Sequence, residues 1–137
     1  RDPTAPMTAE AALCRVLLDV QITPQQLREL GEFLLRDLPS KNRKDKANYY
    51  FWYYGSLSLM HLQDESWKQW NAVMREHLIS TQVADGALEG SWAPDSRWAS
   101  AGGRVYTTAM ATLTLEVYYR YLPMYGRDTE TNVKRDR

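Results

Sequence analysis

Apolar positions along this chain recur in steps of three and four, and they predict five helices whose character alternates. Leu13, Val16, Leu17 and Val20 mark a first helix from Ala9 to Val20. Thr8 is its expected N-cap, and Glu10 lies in the first turn, where a negative charge suits the helix dipole. Residues 1–7, with Pro3 and Pro6, read as an irregular lead-in. Thr23-Pro24-Gln25-Gln26 opens a second helix with a capping threonine, proline at the first position and glutamine at the third. Ile22 and Leu27 flank it as a hydrophobic staple. Leu27, Leu30, Leu34 and Leu38 form its stripe, with Arg28, Glu29, Glu32 and Arg36 largely off it, and Pro39 ends it.

Asn48 to Leu62 is different. Tyr49 to Tyr54 are consecutive aromatics, and no charge appears between Lys46 and Asp64. A helix apolar on every side must be buried on every side. A strand is the competing reading, because aromatics favour strands. Length and the absence of turn-linked partners point to helix. Ser66-Trp67-Lys68-Gln69 reads as another capping box, followed by Trp67, Trp70, Met74, Leu78 and Thr81 at helical spacing. The glycine- and tryptophan-rich stretch 82–103 then feeds a last apolar helix, Val105 to Tyr121, with Ala109, Met110, Leu113, Val117 and Tyr121 on its stripe and Pro123 as its stop. The tail 126–137 is polar and reads as frayed or loosely laid on the surface.

The order is therefore apolar, amphipathic, apolar, amphipathic, apolar. The apolar helices also match one another. Thr8-Ala9-x-Ala11-x-Leu13 matches Thr108-Ala109-x-Ala111-x-Leu113, and Tyr54-Gly55-x-Leu57-x-Leu59 falls between them. A period of about 50 residues built of two helices is the mark of a helical-pair repeat. Small residues near helix starts permit close backbone approach on the inner side of a curved array.

Composition narrows the class. A chain of 137 residues with 44% hydrophobic and 25% charged residues can bury one core. Lys plus Arg and Asp plus Glu both number 17, so net charge points to no nucleic-acid partner. No apolar run reaches the length of a membrane span. The single cysteine, Cys14, permits no intrachain disulfide, which leaves the compartment open. A chain that begins with Arg1 reads as a piece of a longer polypeptide.

The join between the fourth and fifth helices carries a resemblance. Leu78-Ile79-Ser80-Thr81-Gln82, Asp85-Gly86, Gly90-Ser91-Trp92 and Gly102-Gly103-Arg104-Val105-Tyr106-Thr107-Thr108-Ala109 resemble the glutamine–tryptophan motif of the squalene–hopene cyclase and protein prenyltransferase superfamily, closest to bacterial prenyltransferase and squalene oxidase repeat proteins. Gln82, Gly86, Gly90, Trp92 and Gly103 are the structural motif residues it implies. In that family the amide ties backbone groups near the next helix start and the tryptophan stacks across the joint, chemistry that suits orphan helix-end groups. Gln82 and Trp92 stand further apart than the usual spacer. The resemblance covers residues 8–125 and implies an all-α fold: antiparallel helix pairs forming an arc of an α/α toroid, about two and a half pairs.

Candidate chemistry is sparse. The acidic Asp-x-Asp-Asp run with which the cyclases protonate substrate does not occur, and Asp64-Glu65 sits where a helix cap belongs. The prenyltransferases hold zinc with Asp, Cys and His, but Cys14, His61 and His77 show no ligand spacing, so neither metal nor cofactor is expected. Lys41, Arg43, Lys44 and Lys46 form a short basic cluster, read as a solvated loop ahead of an anion site. Asp85, Glu89, Asp95, Arg97 and Arg104 accompany Trp92 and Trp98, as a ligand surface or as caps and mutual pairs. Trp52, Tyr53, Tyr106, Arg104 and Trp98 are the candidate ligand or partner surface, and Tyr49, Tyr50, Trp52, Tyr53 and Tyr106 either line a central cavity or pack an ordinary core.

The expected function is a non-catalytic repeat domain of a larger bacterial protein that binds a protein or an apolar small molecule. The alternative is the terminal segment of a cyclase-like or prenyltransferase-like enzyme whose acid motif lies elsewhere. An arc leaves the flanks of its first and last inner helices uncovered, at Leu17 and Leu18 and at Leu115 and Tyr119, for neighbouring repeats or self-association.

Overall fold

The computed structural model describes residues 4–18, 20–39, 47–96 and 98–125, with backbone alone for 120–125. Arg97, the basic cluster 41–46, the tail 126–137 and the side chain of Tyr121 lie outside the described residues. The protein is all-α. Its five helices are α1 (Ala5–Leu17), α2 (Pro24–Leu35), α3 (Tyr49–Leu62), α4 (Glu65–Thr81) and α5 (Ala99–Tyr125), with a short 3-10 turn at Gly86–Leu88. No strand occurs among the described residues, so the aromatic run is helical.

α3 lies between α1 and α5, which do not touch each other, while α2 packs on α1 and α4, and α4 packs on α3. The helices thus form an inner row α1–α3–α5 with α2 and α4 behind it. Small residues build the inner row. α1 presents Ala5, Ala9 and Ala12 to the core, and α5 presents Thr107, Ala111 and Thr114, each at steps of four and three. Ser58 of α3 lies 2.7 Å from the Ala9 carbonyl and 2.8 Å from the Tyr54 carbonyl, so its one proton ties α1 to α3 or bonds back along its own helix. Trp70 of α4 fills the space behind α3. It is fully buried, donates its indole N–H to Ser56 at 2.9 Å and meets Phe51 edge-on at 5.4 Å. A methyl group added at Gly55 would come within 2.6 Å of the Trp70 ring, so that position needs glycine. Gly31 plays the same part against Ser66 where α2 crosses α4.

Several boundaries differ from the sequence reading. α1 begins at Ala5 with Thr4 as its cap, and the Thr8 amide already bonds the Thr4 carbonyl. The lead-in therefore ends before Ala5. Pro6 falls in the first turn, where a missing N–H costs no ladder bond. The helix ends at Leu17, short of Val20. The α2 start is as read: Thr23 and Gln26 make the full capping box. At α4 the cap is Asp64, whose carboxylate accepts the Trp67 amide at 3.2 Å, and Ser66 lies inside the first turn as the close-contact residue beneath Gly31. α5 begins with a turn at Ala99, breaks at Gly103 (φ 59°, ψ −157°) and continues through Pro123 to Tyr125. A proline this close to the end forfeits one ladder bond, which does not stop the helix.

The matched six-residue segments also occupy different environments. Ala9 is buried but its sequence match Ala109 is exposed, while Ala11 is exposed and Ala111 is buried. What recurs is the small-residue face, displaced by two positions from the sequence alignment.

Candidate functional site

The joint between α4 and α5 is built around Trp92, which is 2% exposed. Its indole N–H donates to the Leu78 carbonyl at 2.9 Å, satisfying an acceptor in the last turn of α4. Its amide donates to Thr108 Oγ1 at 3.3 Å, and its carbonyl accepts from Thr107 Oγ1 at 3.1 Å. One side chain and its backbone thus tie the end of one helix to the start of the next. Gln82 does something else. It donates to the Gly90 carbonyl at 2.8 Å, within its own loop. The Val83 amide donates to the Ser91 carbonyl and the Gly90 amide to the Val83 carbonyl, which closes the loop on itself. Gly86 (φ 79°) and Gly90 (φ 78°) supply the left-handed backbone this needs. Among the described residues Gln82 therefore makes no hydrogen bond to the following helix, and the longer spacer is folded into a self-closed loop.

A second cluster joins α3 to α4. Tyr49 meets Trp52 edge-on at 4.8 Å, and Trp52 meets His77 at 5.2 Å. Burial, with a contribution from the Asp95 carboxylate, pushes the Tyr49 hydroxyl up to about 12. Burial lowers the His77 pKa, and the Asp95 charge opposes that shift. Ser96 Oγ and Tyr106 OH are sealed from solvent with no hydrogen-bond partner among the described residues. No bond joins His77 to Asp95 or Ser96 among the described residues, so the three form no catalytic relay.

The sequence candidates do not converge. Trp52 is buried at 5% exposure and Tyr49 at 3%, both within the core cluster. Tyr53 is half-buried against Tyr54. Arg104 donates to Ser91 Oγ at 3.1 Å, and Trp98 is the exposed member. Among the described residues no group of three or more His, Cys, Asp and Glu is placed to hold a metal ion. His61, like His77, is held below its ordinary pKa by burial.

The feature that sequence reasoning placed only in part is the outward side of the inner row. Met7 and Leu17 on α1 and Leu18 at its C-cap are 66%, 68% and 74% exposed, and Val105 and Tyr119 on α5 are 83% and 74% exposed. Leu115, expected on the same open flank, is half-buried against the core. The signal lay in Met7, Ala11, Cys14 and Leu18, which repeat at steps of four, three and four on the side of α1 opposite its buried alanines. No helix among the described residues is long and apolar enough to cross a membrane. Comparison with family models, curated proteins and solved structures gave no match to this chain.

Proposed function

We propose that this chain is a non-catalytic helical interaction domain, an arc of a terpenoid-cyclase-like toroid, that binds a protein through the open flanks of α1 and α5. The reading rests on one observation: the faces of α1 and α5 turned away from the core carry large apolar side chains in solvent. On a surface helix that face is normally polar. Contiguous exposed apolar patches are uncommon on monomers and mark interfaces. An inner row backed by α2 and α4 is the arrangement an arc requires, and among the described residues its end helices have a row neighbour on one side only. The scattered sequence candidates and the absence of a polar relay at His77 favour binding over catalysis.

The test is binding of a hydrophobic dye to the purified chain, with Leu18→Glu and Tyr119→Glu as probes. Both positions are exposed enough to accept a charge without loss of fold. The wild-type chain binds dye and the double substitution loses most of the signal. A folded wild-type chain that binds no dye sinks the reading.

A further inference from the structure

We infer that the outward face of α1 pairs with the same face of a second copy, the two helices running parallel. This rests on the docking role proposed above and names the partner for one of its two flanks. Met7, Ala11, Cys14 and Leu18 are all exposed and follow the four-three-four spacing of a coiled-coil seam. They lie opposite Ala5, Ala9 and Ala12, which the core already occupies. α1 is therefore apolar on two sides and covered on one.

The charges beside the seam select the occupant. α1 between Ala5 and Leu17 contains Glu10 and Arg15 as its only formal charges, and they flank the stripe on opposite sides. With Met7 and Cys14 at d and Ala11 and Leu18 at a, Glu10 falls at g and Arg15 at the following e. In a parallel pair the g residue of one helix meets the next e residue of the other, so Glu10 of each copy meets Arg15 of its twin, twice by symmetry. An antiparallel pair would set Glu10 towards Glu10 and Arg15 towards Arg15, which repels. Glu10 also lies close enough to the Tyr50 hydroxyl of α3 to add, after burial, to the rise in that hydroxyl's pKa. The corresponding face of α5 has Glu116 among Val105, Ala109, Thr112 and Tyr119, so its middle is charged and it forms no such self-complementary seam. The α1 seam places Cys14 opposite its own copy, which makes the chain's sole cysteine a reporter of the register.

Sedimentation equilibrium over a concentration series, with dye binding measured in parallel, tests this. The wild-type chain shows a monomer–dimer equilibrium. Leu18→Glu weakens it by about tenfold or more, because a charge then enters the seam. Glu10→Lys and Arg15→Glu each weaken self-association, and an equimolar mixture of the two recovers a dimer, since each then offers the other an opposite charge. A Cys14→Ser chain keeps the dimer, and mild oxidation by an added disulfide reagent links the wild-type copies through Cys14. A wild-type monomer that binds dye in a Leu18-dependent way overturns the self-pairing and leaves the docking role, with a different helix as the partner. A monomer that binds no dye overturns both. A dimer indifferent to Leu18→Glu, or charge variants that do not rescue each other, places the contact elsewhere and overturns the inference.

Discussion

α3 and α1 are both largely apolar helices of the same row, yet they meet opposite surroundings. α3 has no charged residue, and buried positions occur on all its faces: Tyr49, Phe51, Trp52 and Gly55 to Met60. Its two serines sit in that core only because each has a partner, Ser56 with the Trp70 indole and Ser58 with a carbonyl. α1 buries Ala5, Ala9 and Ala12 and leaves Met7, Leu17 and Leu18 in solvent. Apolar composition alone does not say how many sides of a helix are covered. Position in the row does: among the described residues the middle helix has row neighbours on both flanks and the end helix on one. The core of this protein is therefore centred on α3 and α4, and the edges are where it can still gain by burial.

That contrast sets the expected size of substitutions. Trp70→Ala removes the side chain that fills the α3–α4 space and strands Ser56, and it lowers unfolding free energy by about 3–5 kcal/mol in chemical denaturation. Trp92→Ala belongs in the same range, about 3–5 kcal/mol, because the joint loses both packing and the bond to Leu78. Gln82→Ala costs under about 1.5 kcal/mol, since its bond to Gly90 is exposed and closes only the loop. Equal costs at Trp92 and Gln82 would show that the loop, rather than the tryptophan, carries the joint. Gly55→Ala forces the rigid Trp70 ring to move and costs about 1–3 kcal/mol by the same measurement. Met7→Gln at low protein concentration changes stability by less than about 0.5 kcal/mol, because its side chain already stands in water. A large loss there would mean that the outward face of α1 is covered within the monomer.

Much of this was legible in the chain itself. The apolar run 48–62 and the amphipathic stripes of α2 and α4 follow from period and charge, and the Thr23–Gln26 capping box is local chemistry that survives in the fold. What failed depended on neighbours. Pro6 reads as a breaker until the cap is known to be Thr4. Ser66 looks like a cap, but Asp64 outcompetes it, and the serine's small size serves the crossing with Gly31. The small-residue repeat was visible, but its register was not, because which alanine is buried depends on helix rotation against α3. The tryptophan of the joint was legible from its setting among glycines. The electrostatic influence of Asp95 on His77 and Tyr49 was not, because nothing local relates residues so far apart in the chain.

The smallest expected effect is the most specific to that joint. Burial lowers the His77 pKa in the folded state below its unfolded value near 6.5, and His61 shifts the same way. The folded protein therefore binds these protons less readily than the unfolded chain does. Stability from this source is fully present above about pH 6.5 and is lost as pH falls below that value towards the folded-state pKa values. Denaturant midpoints measured from pH 8 down to pH 5 decline over the acid half of that range, and His77→Gln, like His61→Gln, makes the decline shallower. Asp95 acts against the shift, since its carboxylate favours a protonated His77. Asp95→Asn therefore lowers the folded His77 pKa further and extends the decline to lower pH. The same substitution removes a charge that holds Tyr49 up, so the tyrosine titrates below its wild-type value of about 12. The titration midpoint of His77, followed by nuclear magnetic resonance of the imidazole protons, separates these effects from global unfolding. An Asp95→Asn chain whose His77 midpoint stays fixed or rises would place the Asp95 charge away from His77.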